Sequence, residues 1–151
     1  MKTLGLRDII GPIMVGPSSS HTAGALRIAL MARNLCGSTP QKAEFRLLGS
    51  FAHTYQGHGT DKALVAGMLG FAADDLRVRD SFRWAAAKGL AFSFNPDAQA
   101  DDFSHPNTID ITVTDETGCT VCVRGESIGG GAAVITRLDG IDVHITGEHT
   151  S

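Results

Sequence analysis

The sequence predicts an α+β fold in which helices pack on one face of a mixed or antiparallel sheet. Three observations predict it: a long apolar helical segment near the start, a helix–strand–helix order after it, and closely spaced alternating strands in the last third. The predicted core therefore runs α-β-α-β-β-β. At 151 residues the chain is expected to form one domain, residues 1–151.

Helix signals mark three segments after a short helical turn within residues 1–15. The first helix is predicted over residues 20–36, and it is apolar nearly all round, which is typical of a helix buried on more than one side. The second is predicted over residues 62–71, with Thr60 or Asp61 as its N-cap. The third is predicted over residues 81–88 and ends at Gly89.

Alternating apolar and polar residues predict the strands. The predicted strands, in chain order, are residues 42–48, 90–94, 108–114, 119–124, 133–138 and 141–145. Residues 116–118 and the pair Asp139–Gly140 are hairpin turns, and residues 127–131 form a glycine turn. Residues 95–106 are a polar, acidic loop.

Composition excludes several classes of function. The net charge is −3 and no basic run is present, so a nucleic acid is not expected as a partner. No apolar run reaches the length of a membrane span, so no membrane partner is expected either. Three cysteines are an odd number without a disulfide framework, which favours the reducing cytoplasm.

The segment Gly-Pro-Ser-Ser-Ser-His-Thr-Ala-Gly, residues 16–24, immediately precedes the longest apolar run. Any of Ser18, Ser19 and Ser20 could cap the helix that follows. Together with His21 and Thr22, these hydroxyls at a helix start would also make a site for a carboxylate or phosphate. A helix that is only well capped is the alternative interpretation.

His58 lies between two glycines just before the second predicted helix. Glycine lets a ligand approach the backbone closely, and histidine is the side chain best suited to move a proton near neutral pH. His58 is therefore a candidate general base, with a solvent-exposed loop histidine as the alternative. His53 is a weaker candidate, because it follows Phe51-Ala52 and could simply orient the loop.

No metal site held by this chain is expected. His53 and His58 could be joined by His21 or Asp61, but they show no established metal-binding spacing. All three cysteines are interpreted as packing residues: Cys36 at a helix end, and Cys119 and Cys122 in a strand pattern that would turn them to opposite faces.

Three segments together, residues 16–24, 49–64 and 127–131 (Ser-Ile-Gly-Gly-Gly), resemble the β domain of the iron–sulfur-dependent L-serine dehydratases, or L-serine ammonia-lyases. The resemblance covers nearly the whole chain. It implies an enzyme that converts L-serine to pyruvate and ammonia, in which an α part holds a 4Fe–4S cluster through cysteines. It also implies a fold similar to the allosteric substrate-binding domain of some D-3-phosphoglycerate dehydrogenases.

The sequence departs from the complete enzyme of that family. It contains no α part, its cysteines do not match the cluster motifs, and it has no ACT regulatory domain. We therefore expect the β domain of a single-chain enzyme, cut after its last strand, with the α domain and L-serine as partners and a homo-oligomer as the assembly. The isolated chain is expected to be inactive.

The resemblance implies a β-elimination in which cluster iron binds the leaving hydroxyl and a base removes the Cα proton. His58 is the candidate base, with His21 and His53 next. The residues implied to hold the substrate carboxylate and ammonium are Ser18, Ser19, Ser20, His21, Thr22, Gly59, Thr60, Asp61, Gly129 and Gly130, with Gly131 in the same turn. The alternative function is a regulatory domain that binds a small anion or amino acid and does no chemistry.

Overall fold

The architecture is a six-stranded sheet covered on one face by helices, and the computed structural model describes residues 19–56 and 59–147, with the side chains of the first helix described from Thr22 onward. The elements in chain order are α1 (Ser19–Leu35), β1 (Pro40–Gly49), α2 (Ser50–Thr54), α3 (Thr60–Met68), a 3-10 helix (Leu76–Asp80), α4 (Ser81–Lys88), β2 (Ala91–Pro96), β3 (Asn107–Asp115), β4 (Thr120–Gly129), β5 (Ala132–Leu138) and β6 (Ile141–Gly147).

The strands lie in the order β2-β1-β3-β4-β5-β6. β1 and β2 are parallel, because the helices between them carry the chain back to the same end of the sheet. Every other neighbouring pair is antiparallel, and short turns join the last four strands into three successive hairpins. The predicted α+β class with a mixed sheet is confirmed.

Alternation along the strands separates an apolar inner face from a polar outer face. Phe45 of β1, Ile111 of β3 and Val123 of β4 lie side by side across the sheet and are buried in the core. Between them along the strands, Glu44 and Thr112 face outward, where the sheet carries a groove of about 420 Å³. The helices within the described ranges pack on the inner face, and the outer face of the sheet is polar.

Helix α1 is buried on two sides, as its composition predicted. Its residues Ala25, Ile28, Ala29 and Ala32 belong to the core cluster that includes the inner face of the sheet. Leu26 packs on the other side, in a second cluster with residues of α3. Alanines on both helices permit this close packing, because their short side chains let the two backbones approach one another.

Several predicted bounds differ from the structure. Residues 50–54 form the short helix α2, which was predicted as loop; its burial of Phe51 against the sheet stabilises one turn that has little local helix signal. The N-cap of α3 is Gly59, not Thr60 or Asp61, and the helix ends at Met68 instead of residue 71. Gly70 adopts a positive φ of 89°, which a helix does not continue through.

The predicted glycine turn at residues 127–131 is shorter than expected. Ser127 and Ile128 belong to β4, and Ser127 pairs with Ala133 of β5. Positive φ angles at the three consecutive glycines after them turn the chain in the remaining space.

The packing prediction for cysteines is correct for Cys36, which packs against the core, and wrong for the other two.

Cys119 and Cys122 are exposed. Cys119 lies in the hairpin turn before β4, and Cys122 is on the outer face of that strand, beside Thr112. No helix of the described residues covers either position, so both thiols contact solvent. Among the helices of the described ranges, none combines the length and apolar composition of a bilayer span.

Candidate functional site

Two of the motifs singled out in the sequence meet at one end of the sheet. Gly24, in the second turn of α1, lies so close to Ser127 of β4 that a Cβ at this position would overlap the Ser127 hydroxyl. Ser127 is buried and lies just before the glycine turn. The start of α1 and the turn between β4 and β5 therefore lie together.

The two long inner helices run parallel. Gly67 of α3 approaches Leu26 and Ala29 of α1, where a Cβ would overlap the Leu26 carbonyl oxygen. One residue further along α3, the Met68 carbonyl accepts a hydrogen bond of 3.1 Å from Arg33 Nε, further along α1. Since contacts advance in the same direction on both helices, their N-terminal ends point the same way, and both positive dipole ends lie on one side of the molecule.

The loop before β3 joins this end of the domain, which sequence reasoning did not anticipate. The Ser50 N–H donates to the Pro106 carbonyl at 2.8 Å, and the Ser50 hydroxyl bonds to the Asn107 side-chain oxygen. Gly49 makes this possible, because its φ is 60° and a Cβ would overlap the Pro106 carbonyl oxygen. The one available sequence signal was the glycine directly after a strand.

Residue His105 has its ring held in this same loop. Its Nδ1 accepts the Asn107 N–H at 3.0 Å, and its carbonyl accepts the Thr108 hydroxyl at 2.6 Å. These bonds fold the chain tightly into β3, which fixes Pro106 against the start of α2.

The backbone donors at the start of α3 are largely used within the chain. The Asp61 N–H donates to the Tyr55 carbonyl at 3.1 Å, and the Lys62 N–H to Asp61 Oδ1 at 2.8 Å. The Ala63 N–H donates to the Gly59 carbonyl at 3.0 Å. This helix start is therefore less open to an anion than its position alone indicates.

The Thr60 hydroxyl has no such partner. Thr60 is 0% exposed, and its Oγ1 is a buried side-chain oxygen without a hydrogen bond. An unsatisfied buried hydroxyl costs on the order of 1–3 kcal/mol, so native proteins rarely keep one. Thr60 is the first residue of α3, so this unsatisfied hydroxyl lies at the N-terminal end of that helix.

Asp61 lies beside Thr60 and is half-buried. Burial raises the pKa of this carboxyl, and the hydrogen bond from the Lys62 N–H opposes the rise. Burial disfavours the charged carboxylate, and a cation beside it would relieve that cost. The chemistry of Asp61 is therefore suited to an ammonium group.

The structure describes some of the remaining predicted site residues and not others. Gly129 and Gly130 have φ angles of 101° and 65°, and open space surrounds the position of an added Cβ at each. Thr22 lies in the first turns of α1, and His53 is exposed near the end of α2. Ser18 and His58 lie outside the described residues, and so do the side chains of Ser19, Ser20 and His21, which begin α1.

The described residues do not converge on a metal ion. Within residues 19–56 and 59–147, no group of three or more histidine, cysteine, aspartate or glutamate side chains could hold one. Cys36 Sγ lies 4.0 Å from Asp115 Oδ2, whereas Cys122 is on the outer face of the sheet. The three cysteines therefore do not fit an iron–sulfur cluster, which takes thiolates gathered around one point.

Comparisons with known proteins agree with the motifs. The family model described as the serine dehydratase beta chain matches residues 8–137. The chain is 46% identical over 144 residues to the L-serine dehydratase beta chain of Peptoniphilus asaccharolyticus, covering 95% of this chain and 64% of that relative. It is 46% identical over 149 residues to the probable L-serine dehydratase beta chain of Bacillus subtilis (strain 168), covering 99% and 66%.

A more distant relative is the L-serine dehydratase of Streptomyces coelicolor, which is 31% identical over 152 residues, covering 86% of this chain and 33% of that protein. The chain thus spans slightly less than two thirds of the two beta chains it resembles. With the family model matching most of its length, the chain belongs to the serine dehydratase beta-chain family.

Proposed function

We propose that this chain is the β part of an L-serine dehydratase, which together with an α part converts L-serine to pyruvate and ammonia. We place substrate binding at the end of the sheet where α1, α3 and the glycine turn meet. Two relatives that share 46% of aligned residues and carry the name of this enzyme's beta chain support the activity. The observation that carries the site is the buried, unpartnered hydroxyl of Thr60.

The charges of this end match the two charged groups of an amino acid. The N-terminal end of α1 favours a carboxylate, because the helix dipole is positive there, whereas the backbone donors at the start of α3 are largely used within the chain. Asp61 would pair with the ammonium group, and the Thr60 hydroxyl would hydrogen-bond a substrate oxygen. Gly129 and Gly130, with open space beside them, would let the substrate approach the backbone.

The proposed reaction is an elimination followed by hydrolysis. The base takes the Cα proton, the electron pair forms the Cα–Cβ double bond, and the Cβ–O bond breaks, so that the hydroxyl leaves with its bonding electrons and takes up a proton to become water. Tautomerisation and addition of water to the resulting imine then release ammonia and leave pyruvate. His58 is our candidate for the base, since it neighbours Gly59 and Thr60 in the sequence.

We assign the 4Fe–4S cluster to the α part and derive no step through it, since the cysteines of this chain do not fit one. The α part and L-serine are the proposed partners, and a homo-oligomer is the proposed assembly. We also propose a cytoplasmic location, which three free cysteines support because thiols persist in reducing compartments.

Thr60→Val tests the site in the complete enzyme. Valine keeps the shape of threonine and removes only the hydroxyl, so the loss of one substrate hydrogen bond should lower kcat/KM about tenfold. The free energy of unfolding should stay constant or rise by about 1 kcal/mol, because a buried unsatisfied group is removed. Steady-state kinetics and urea unfolding measure the two quantities.

Thr108→Val is the matched stability control. Thr108 is also 0% exposed, but its hydroxyl donates to the His105 carbonyl at 2.6 Å. Its loss should lower the free energy of unfolding by about 1 kcal/mol. A Thr60→Val enzyme with unchanged kcat/KM would refute the proposed substrate site.

A further inference from the structure

Two arginines and three aspartates form one ion-pair cluster on the outer face of the sheet, and we name these five residues (Arg46, Asp97, Asp102, Asp110, Arg124) the outer-face clasp. The Arg124 side chain is 8% exposed and contacts Asp110 at two points, with Nε–Oδ1 at 2.7 Å and Nη2–Oδ2 at 2.9 Å. Arg46 Nη1 reaches the same Asp110 carboxylate at 3.0 Å. Planar two-point pairs of this kind fix geometry as well as charge.

The outer-face clasp ties down the loop of residues 97–106, which has no helix or strand of its own. At the start of the loop, Arg46 Nε and Nη2 contact Asp97 Oδ2 at 3.2 and 3.0 Å. Midway along it, Arg124 Nη1 donates to the Asp102 carbonyl at 2.6 Å and Nη2 lies 3.3 Å from Asp102 Oδ2. Because one bond reaches the backbone, the clasp fixes the path of the chain as well as a side chain.

The far end of the same loop supports the proposed substrate site. Pro106 accepts the Ser50 N–H, and Ser50 is the first residue of α2. One turn later, the Tyr55 carbonyl accepts the Asp61 N–H at the start of α3. A loop that moved away from the sheet would therefore release α2, and with it the position of Asp61.

We propose that the outer-face clasp is a positioning device for the reaction: Arg124 and Asp102 hold residues 97–106, and through Pro106 they hold α2 and the start of α3. The kinetic half of this inference rests on the proposed function. The structural half, that the clasp keeps Pro106 on Ser50, does not.

Asp102→Asn in the enzyme assembled from this chain and its α part tests the inference. It removes the charge but keeps the size of a side chain that is 54% exposed, so the fold is expected to persist. Asp142→Asn is the matched control, since it removes the exposed partner of Arg137, 3.6 Å away on the same sheet. The measurements are hydrogen exchange of the Ser50 amide, global exchange, kcat and KM.

In Asp102→Asn we expect the Ser50 amide to exchange about tenfold faster and kcat/KM to fall about tenfold, while the control stays within about twofold on both. Arg124→Lys, which keeps the charge and loses the two-point contact, should change both in the same direction. Asp102→Glu, which keeps the carboxylate, should lie closer to wild type than Asp102→Asn.

Unchanged Ser50 exchange in Asp102→Asn would overturn the inference. Faster Ser50 exchange with unchanged kcat/KM would also overturn it, since the clasp would then be only structural. Equally faster exchange across α1 and β4 would indicate a global loss of stability and would count against positioning. If Thr60→Val leaves kcat/KM unchanged while Asp102→Asn lowers it and speeds Ser50 exchange, the proposed Thr60 contact fails and the positioning of α2 for the reaction stands.

Discussion

Thr60 and Thr108 are both fully buried, but only Thr108 has a hydrogen-bond partner for its hydroxyl. Ser81, equally buried, donates to the Lys62 carbonyl at 2.7 Å, so this part of the fold is able to satisfy a hydroxyl. The exception at Thr60 is therefore specific to the start of α3. An unsatisfied buried group calls for a specific explanation, and under the proposed function a substrate oxygen would supply the missing bond.

His58→Ala in the complete enzyme distinguishes a catalytic from a regulatory domain. If His58 is the Cα base, kcat should fall about a hundred- to ten-thousand-fold while the absorbance of the cluster stays unchanged. A regulatory domain predicts nearly unchanged kcat at saturating serine, with altered affinity or activation. The cluster absorbance is recorded first, then kcat. A value within a few-fold of wild type would mean that the base lies elsewhere, with His21 and His53 next.

Among the elements, the contact between α1 and α3 depends on one missing side chain. A Cβ at Gly67 would overlap the Leu26 carbonyl oxygen and lie 2.7 Å from Ala29 Cβ. Helix propensity favours alanine over glycine by about 1 kcal/mol, whereas forcing two backbones apart costs about 1–3 kcal/mol. The clash involves backbone atoms that cannot rotate away, so it should outweigh the propensity.

We therefore predict that Gly67→Ala lowers the free energy of unfolding, measured by urea denaturation. Gly37→Ala is the control, because no atom lies within 4 Å of an added Cβ there. Its free energy of unfolding should stay within about 0.5 kcal/mol of wild type. A more stable Gly67→Ala protein would contradict the close parallel packing of the two helices.

The hairpin between β3 and β4 depends on the Asp115 carboxylate. Its Oδ1 accepts the Thr117 N–H at 2.9 Å, the Thr117 hydroxyl at 2.6 Å and the Cys119 N–H at 3.1 Å. These bonds hold the pKa of Asp115 below its usual range, with the Thr117 hydroxyl as the largest cause. The resulting stability is fully present above the unfolded pKa of about 3.9 and is lost as pH falls through the lower folded pKa.

Asp115→Asn should consequently be less stable than wild type at pH 7, and the difference should narrow below about pH 4. Urea denaturation midpoints between pH 3 and pH 7 measure it. Asp101→Asn, at an exposed loop position, controls for the loss of one charge. A difference between Asp115→Asn and wild type that stays constant over this range would show that the carboxylate charge does not stabilise the hairpin.

For the molecule as a whole, the parallel course of α1 and α3 brings distant motifs to one end of the sheet. The start of α1, the start of α3 and the glycine turn come from the beginning, middle and end of the chain. The Pro106 carbonyl joins them from the loop before β3. This end therefore concentrates the polar groups that the inner face otherwise excludes.

The isolated chain should be colourless and inactive, because its cysteines do not gather around one point. Iron and sulfide analysis after anaerobic reconstitution, together with a serine turnover assay, measures both properties. The chain combined with its α part is the positive control. Stoichiometric iron with dehydratase turnover in the isolated chain would contradict the assignment of the cluster to the α part.

The sequence by itself determined the fold class, the six strands, the burial of α1 on two sides and the family, since local periodicity and contiguous motifs carry these properties. It also located Thr60 and Asp61 at a helix start, although it assigned them a capping role that Gly59 has instead. The sequence did not predict the short helix α2, because burial of Phe51 stabilises that single turn more than its local helix propensity does.

Only the tertiary structure decided which residues face one another across the fold. The parallel pairing of α1 with α3, the missing partner of Thr60 and the hold of Arg124 on Asp102 all join residues far apart in the chain. The hydrophobic periodicity of the sequence does not reveal such contacts, because each depends on the path of the intervening chain. The physical reason is that local propensities act over a few residues, whereas packing and hydrogen-bond satisfaction are settled once the sheet has assembled.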